Sequence, residues 1–413
     1  MREARLGDVV ESMKNGIYKP ASEYADDGMP CLRMYNIDAG SIVWRDVKRM
    51  RISDREFADY GLQEGDLLVN RVNSRELVGK AAYVPGSLEP SVFESKNIRV
   101  RLNRTTALPK FINYQLLARG SRHFANNAQQ VVGMASISQG QLADFPIVLA
   151  ELDEQSRIVA EIEKQFSRLD EAVANLERVK ANLKRYGAAV LTAAVEGRLF
   201  SAEVNLTRGS EMVRRQSIAA AIESLDQGWS PLCESTAAET DAEWAVMKTT
   251  AIQPMSFLKN ENKRLPPGLV PRQRLELVPG DLLITRAGPR SRVGVCCVVK
   301  STRPRLMLCD KAYRLRSRRD VATPEYLEIV LNAPAILDVL DTLKTGISDS
   351  GLNLTQRRFS ELLVPLPPLA DQHRIVAEVD RRLSIVREVE AEVDANLKRA
   401  AALRQAILRA AFT

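Results

Sequence analysis

The sequence predicts an α+β protein written twice: two α/β globules, each followed by a long helix, the helices pairing as an antiparallel coiled coil with an internal pseudo-two-fold repeat. Three observations predict it. The segment LDEQSRIVAEI at residues 152–162 returns as LADQHRIVAEV at residues 369–379, identical at seven of eleven positions. The segment EGDLLVNR at residues 64–71 returns at nearly the same displacement as PGDLLITR at residues 279–286. Each copy of the first segment opens a long stretch whose apolar residues step by threes and fours, the spacing of a coiled-coil seam.

The elements follow in order. The repeat extends to VGKAAYV and VGVCCVV (residues 78–84 and 293–299), to Lys96 and Arg99 against Lys311 and Arg314, and to Pro109 against Pro324. Short apolar runs broken by turn residues read as strands: CLRMYNI, GDLLVN, KAAYVPG and NIRVRLN, then WAVMKTT, GDLLITR, VGVCCVVK and KAYRLR. A proline suited to a first helical turn opens a helix at Pro109 and another at Pro324. From Asp153 to Val195 there is no proline and one glycine, Gly187. The seam runs through Val159, Ile162, Phe166, Leu169 and onward to Val190, and in the tail through Val379, Leu383, Val386, Val393, Leu403 and Ile407. At 1.5 Å per residue each helix is roughly 60–65 Å long. Because each helix leaves its own globule, mutual pairing is antiparallel. The expected divisions are residues 1–150, 151–199, 200–366 and 367–413. Residues 201–243 align poorly with the first half and read as a variable entry to the second globule.

Composition narrows the class. With 413 residues, 45% of them apolar and 27% charged, the chain has material for more than one packed core. A net charge of +7 and a pI near 9.1 favour a polyanionic partner. Five scattered cysteines without a CxxC pair, and two histidines far apart, argue against a structural metal and fit a reducing cytoplasm. Cys296 and Cys297, adjacent on a strand, should point into opposite faces. The charged N-terminus does not read as a signal peptide, and no run is long and apolar enough to span a membrane. No phosphate-binding GxxxxGK[ST] loop, dinucleotide GxGxxG or catalytic constellation is found, so no catalytic or metal residues are assigned.

Charge and loop chemistry point to nucleic acid. Between Arg286 and Arg319 stand eleven basic residues and one acid, Asp310, a run suited to tracking phosphates. Base reading needs arginine for guanine and amides or hydroxyls for other edges. Two loop types in each half offer them. After the GDLL strands these are Asn70, Arg71, Asn73, Ser74 and Arg75, with Lys96 beside them, and Thr285, Arg286, Arg290 and Arg292, with Lys311 and Arg314. Before the long helices they are Gln129, Gln130 and Ser136, and Lys344, Ser348, Asp349, Ser350 and Asn353. The second loops end at Ser138 and Thr355, residues suited to capping a short helix. They occupy the same place in both halves yet differ in sequence.

The repeated unit, strands with GDLL…VG followed by a loop and a long-helix start, resembles the specificity (S) subunit of Type I restriction–modification systems. The best copy is VPLPPLADQHRIVAEVDRRL at residues 364–383, and the first half departs from it with IVLAELDEQ in place of the proline-rich lead. The resemblance implies two target recognition domains reading a bipartite, asymmetric DNA site, and two spacer helices binding two methyltransferase (M) subunits, with motor–nuclease (R) subunits joining them. It implies no cofactor in this chain; S-adenosylmethionine, ATP and magnesium would lie on the partners. Gln155, Arg157, Glu161, Gln372, Arg374 and Glu378 become candidate partner-facing or helix-start residues. The alternative is a coiled-coil adaptor whose basic globules bind nucleic acid without sequence preference.

Overall fold

A computed structural model describes residues 1–131, 133–200 and 215–412. It divides into two compact units: Met1–Glu177 with Asp394–Thr413, and Arg178–Val393. Each unit therefore holds one globule with part of both long helices, and the expected divisions at the globule–helix junctions are not the boundaries of compactness.

In the first unit a six-stranded sheet runs in the order Val10–Asn15, Asn97–Leu102, Leu67–Asn70, Ala81–Tyr83, Gly40–Ile42, Ile37–Asp38. The second unit repeats the first four positions with Ile222–Gln227, Ala312–Ser317, Leu282–Thr285 and Cys296–Val298. Beside each lies a three-stranded sheet whose centre is Tyr24–Leu32 or Ala245–Met247. The GDLL strands sit inside the larger sheets because their four residues are buried on both faces. CLRMYNI is not one strand: Tyr24–Leu32 ends inside it and a 3-10 turn, Met34–Asn36, follows. Cys296 and Cys297 enter two different cores, as alternation along a strand requires.

The poorly aligned entry segment belongs to the repeat. Its residues 201–214 lie outside the described residues. From Arg215 onward, Arg215–Ser217 pairs with Leu363–Pro365 and Ile222–Gln227 with Ala312–Ser317. Arg2–Arg5 with Pro146–Leu149 and Val10–Asn15 with Asn97–Leu102 are the first-unit counterparts. Backbone pairing preserved the plan where side chains diverged.

The helices at Pro109–Gln115 and Pro324–Leu331 start at their prolines. The long helices are Leu152–Val195 and Leu369–Ala411. Within the first unit, Val159, Ile162 and Phe166 share a core with Leu408 and Phe412. Within the second, Val190, Leu191 and Ala194 share one with Ile375, Val379 and Leu383. The start of one helix meets the end of the other in both cases, so the pairing is antiparallel. Leu403, expected in the seam, is exposed. Arg404 takes the inward position: its guanidinium lies 4.1 Å from the Phe166 ring centre and 2.6 Å from Asp170.

Candidate nucleic-acid interface

The repeated motif residues are fold hardware. Asp66 and Asp281, the aspartates of GDLL, are buried. Asp66 accepts from the Gln63 N–H (2.9 Å) and from Arg101 (2.9 Å), and Asp281 accepts from the Val278 N–H (3.0 Å) and from Arg316 (3.1 Å). Each closes a turn and pins an arginine of the adjacent strand. Arg99 and Arg314 are buried in turn: Arg99 donates to the Gly61 carbonyl (2.9 Å), Arg314 to Asp226 (2.7 Å) and to the carbonyls of Arg274 and Glu276. Arg314 is thus withdrawn from the expected DNA-contacting set.

Burial removes three more candidates. Asn70 is fully buried, donating to Asn97 (3.1 Å) and accepting from Asn73 (2.8 Å), itself buried. Thr285 is fully buried, donating to the Arg292 and Val295 carbonyls and accepting from the Val295 N–H (3.0 Å). These amide and hydroxyl groups shape the loop after the strand instead of presenting it. Arg292 does similar work, clamping the carbonyls of Thr249 (2.8 Å) and Ile252 (2.6 Å).

The loops themselves are brought together in both units. In the first, Val72–Asn73 pairs with Met134–Ser136, which pairs with Gln129–Val131. In the second, Ala287–Gly288 pairs with Leu352–Asn353, and Thr345 bridges to Asn353. Ser138 and Thr355 then cap the short helices Gln139–Ala143 and Gln356–Ser360, accepting from the backbone N–H groups of Gln141 and Arg358. The side chain of Gln130 lies outside the described residues. Gln129 is exposed, Ser74 and Ser136 half-buried, and exposed Arg75 donates to the Ala125 carbonyl (3.0 Å). On the second unit Ser348, Asp349, Ser350 and Asn353 are exposed, with Ile347 fully so. Arg290 fastens this loop, donating to Asp349 (2.9 Å) and Asp341 (2.6 Å), while Lys344 bonds Asp341 (2.8 Å) and the Arg290 carbonyl (2.9 Å).

The basic run of the second unit is largely consumed internally. Arg286 donates to the Asp310 carbonyl (2.7 Å), and Arg303 and Arg305 hold carbonyls at residues 240–243. Arg316 pairs with Asp281 (3.1 Å) and Arg318 with Asp320 (3.4 Å). Among the described residues, Lys300, Lys311 and Arg319 remain without a hydrogen bond or ion pair from the side chain. Acids outside the run pair with Arg290, Arg303, Arg314, Arg316 and Arg318, so the expected continuous field is interrupted, while Arg286, whose acceptor is an uncharged carbonyl, keeps its charge.

Residues 1–185 match the family model described as Type I restriction modification DNA specificity domain. The chain is 37% identical over 159 residues to the Type I restriction enzyme EcoEI specificity subunit of Escherichia coli, a match covering 38% of this chain and 27% of that protein. It is 25% identical over 395 residues to the EcoKI specificity subunit of Escherichia coli strain K12, covering 94% of this chain and 82% of that one. This chain is similar to Type I specificity subunits, by family model over its first 185 residues. Solved structures share the fold: a chain from a study of assembly and conformational transition in the type I R-M system aligns over 100% of this chain and 97% of its own, with TM-score 0.68 at 20% identity. The HsdS subunit from Thermoanaerobacter tengcongensis aligns over 100% and 96%, with TM-score 0.50 at 21% identity.

The helix-start echo of this chain divides by role. Gln155 and Gln372 are fully buried and make the same three hydrogen bonds. Gln155 Nε2 donates to the carbonyls of Thr106 (2.9 Å) and Ala150 (2.8 Å), and its Oε1 accepts from the Leu108 N–H (2.8 Å). Gln372 Nε2 donates to Val321 and Pro367 (both 2.8 Å), and its Oε1 accepts from the Thr323 N–H (3.0 Å). They lock each long helix to its globule and are unavailable to a partner, which corrects that expectation for both. Arg157 is exposed and pairs with Glu154; Arg374 pairs with Asp371 (3.5 Å) and lies 5.2 Å from the Phe200 ring centre. Glu378 bonds Arg381 and Arg382, which hold its carboxyl down at about 2; Glu161 is lowered by Gln165 and Lys164. Sequence reasoning missed the glutamine lock, although its signal was present: glutamine kept in both copies amid changing neighbours.

Proposed function

We propose that this chain is the DNA-reading subunit of a Type I restriction–modification assembly, each globule reading one part of a two-part, asymmetric duplex site. The observation that carries the reading is a division of labour. The shared pairs Asp66 and Asp281, Arg99 and Arg314, and Gln155 and Gln372 are buried in the framework, whereas the loops that differ between the repeats converge on one place in each unit. Equal frameworks offer equal docking to two copies of one partner, and unequal loops offer unequal reading. The exposed arms of the helix starts suit methyltransferase (M) subunits. Beside Glu161, an open cleft of ≈ 470 Å³ lined by Ile158, Ile162, Leu403 and Ile407 gives such a partner apolar surface. Restriction (R) subunits would join that core. S-adenosylmethionine, ATP and magnesium would belong to those partners, with this chain catalysing nothing and working in the cytoplasm.

Co-expression with a cognate methyltransferase subunit, followed by sequencing of methylated adenines, tests the reading. A new split motif supports it. Methylation without sequence preference would favour the adaptor alternative.

A further inference from the structure

The GDLL strands end on a charge arrangement that the fold does not need. Asn70 pairs with Asn97 and Thr285 with Ala312, so the next residues, Arg71 and Lys96 or Arg286 and Lys311, stand directly opposite each other. Their backbones confirm it: the Arg71 N–H donates to the Lys96 carbonyl (2.8 Å) and the Arg286 N–H to the Lys311 carbonyl (2.9 Å). Directly opposed residues of antiparallel strands share a sheet face, and like charges there are destabilising. The chain keeps this pair in both units. Further along the same strands, the repeated arginines at 99, 101, 314 and 316 all have internal acceptors.

Among the described residues, the end pairs have no carboxylate partner. Neither lysine has a side-chain hydrogen bond or ion pair among the described residues, and the Arg71 Nε is buried without an acceptor. Arg286 uses its Nε on the Asp310 carbonyl, a contact that aims the guanidinium and leaves its two terminal nitrogens unengaged. The pairs also sit where the reading loops join: the Arg71 carbonyl accepts from the Ile137 N–H (2.9 Å), the Arg286 carbonyl from the Leu354 N–H (2.7 Å).

We propose that Arg71 with Lys96, and Arg286 with Lys311, are two equivalent phosphate clamps, each gripping the DNA backbone beside a base-reading loop and setting its position without reading sequence. This rests on the proposed function and assigns these four cations to phosphate. Two opposed cations without a counterion are stabilised by a phosphate, and their identity in both units fits a contact that is the same whatever the bases.

The test uses the full chain and a randomised duplex library, with Lys96→Gln, Lys311→Gln and the double variant. Affinity for the bulk library is followed against salt, and the sequences retained are read out. Each substitution should lower the salt slope by about 0.9 and weaken binding roughly three- to tenfold, with the retained sequences unchanged. Thermal midpoints should hold or rise, because a like-charge repulsion is relieved. An unchanged slope, or altered retained sequences, would overturn the clamps. A wild-type chain that binds with a steep salt slope but retains no sequence would sink the proposed function and leave the clamps supported.

Discussion

Truncating Gln372 to alanine should destabilise the second unit by about 3–5 kcal/mol, and Gln155→Ala should do the same to the first. Gln372 is fully buried and its amide uses both ends, donating to Val321 and Pro367 and accepting from Thr323. Alanine leaves the Thr323 N–H with no acceptor and takes a donor from two carbonyls. Each buried polar group left unmatched costs about 1–3 kcal/mol. The carbonyls keep a second lone pair that can be satisfied elsewhere, which places the total in the lower part of the summed range of about 3–9 kcal/mol. Gln155 has the same contacts within about 0.2 Å, so the two losses should agree within about 1 kcal/mol. Gln372→Glu should be no milder at neutral pH, since a carboxylate cannot donate to the two carbonyls and its charge would be buried. Hydrogen exchange at residues 106–108 and 321–323 is the assay, because it reports opening of each junction separately. His373→Ser, which installs the residue found at the same position of the first repeat, is the control and should change stability by less than about 0.5 kcal/mol. Each truncation should lose protection at its own junction; protection retained there in either variant would refute the lock.

Three other perturbations bear on the same framework. Burial raises the Glu328 carboxyl to about 7, so between about pH 4.5 and 7 the unfolded chain releases a proton that the folded one keeps. Stability from this group is fully present below that window and falls by about 3 kcal/mol across it; Glu328→Gln, retaining the bond from the Val298 N–H, should flatten the dependence in urea unfolding at pH 5 and pH 8. Asp281→Ala leaves the Val278 N–H without its acceptor and takes a carboxylate from buried Arg314 (3.7 Å), and should cost about 3–5 kcal/mol in the same assay, as expected for breaking a buried pair. Ser138→Ala should cost about 1 kcal/mol and raise exchange over residues 139–143, and Thr355→Ala should cost less, its cap bond being longer at 3.4 Å against 3.1 Å.

Much of the fold was legible because local chemistry and periodicity specified it. The GDLL strands, the proline-led helices, both long helices and the caps at Ser138 and Thr355 stand where the sequence places them. The strands Arg215–Ser217 and Ile222–Gln227 escaped recognition because pairing is made by backbone groups, which place little demand on side-chain identity. The seam position of Arg404 was hidden because a long cationic side chain can cover an aromatic face as well as leucine fills a core. The site was less legible than the fold. A run of arginines shows one acid, Asp310, in its own stretch, yet Asp226, Asp281, Asp341 and Asp349 reach it from distant segments. Asn70 and Thr285 looked like readers by type and proved to be internal braces, a distinction set by burial alone.

The most direct test of shared framework and private loops is to exchange residues 344–353 for the corresponding loop of a Type I specificity subunit that this chain resembles. The variant is expressed with a methyltransferase subunit and the methylated motif is sequenced. One part of the split motif should change, with the other part and the spacing between them intact. A motif altered in both parts, or unaltered in either, would contradict the assignment of reading to the unshared loops.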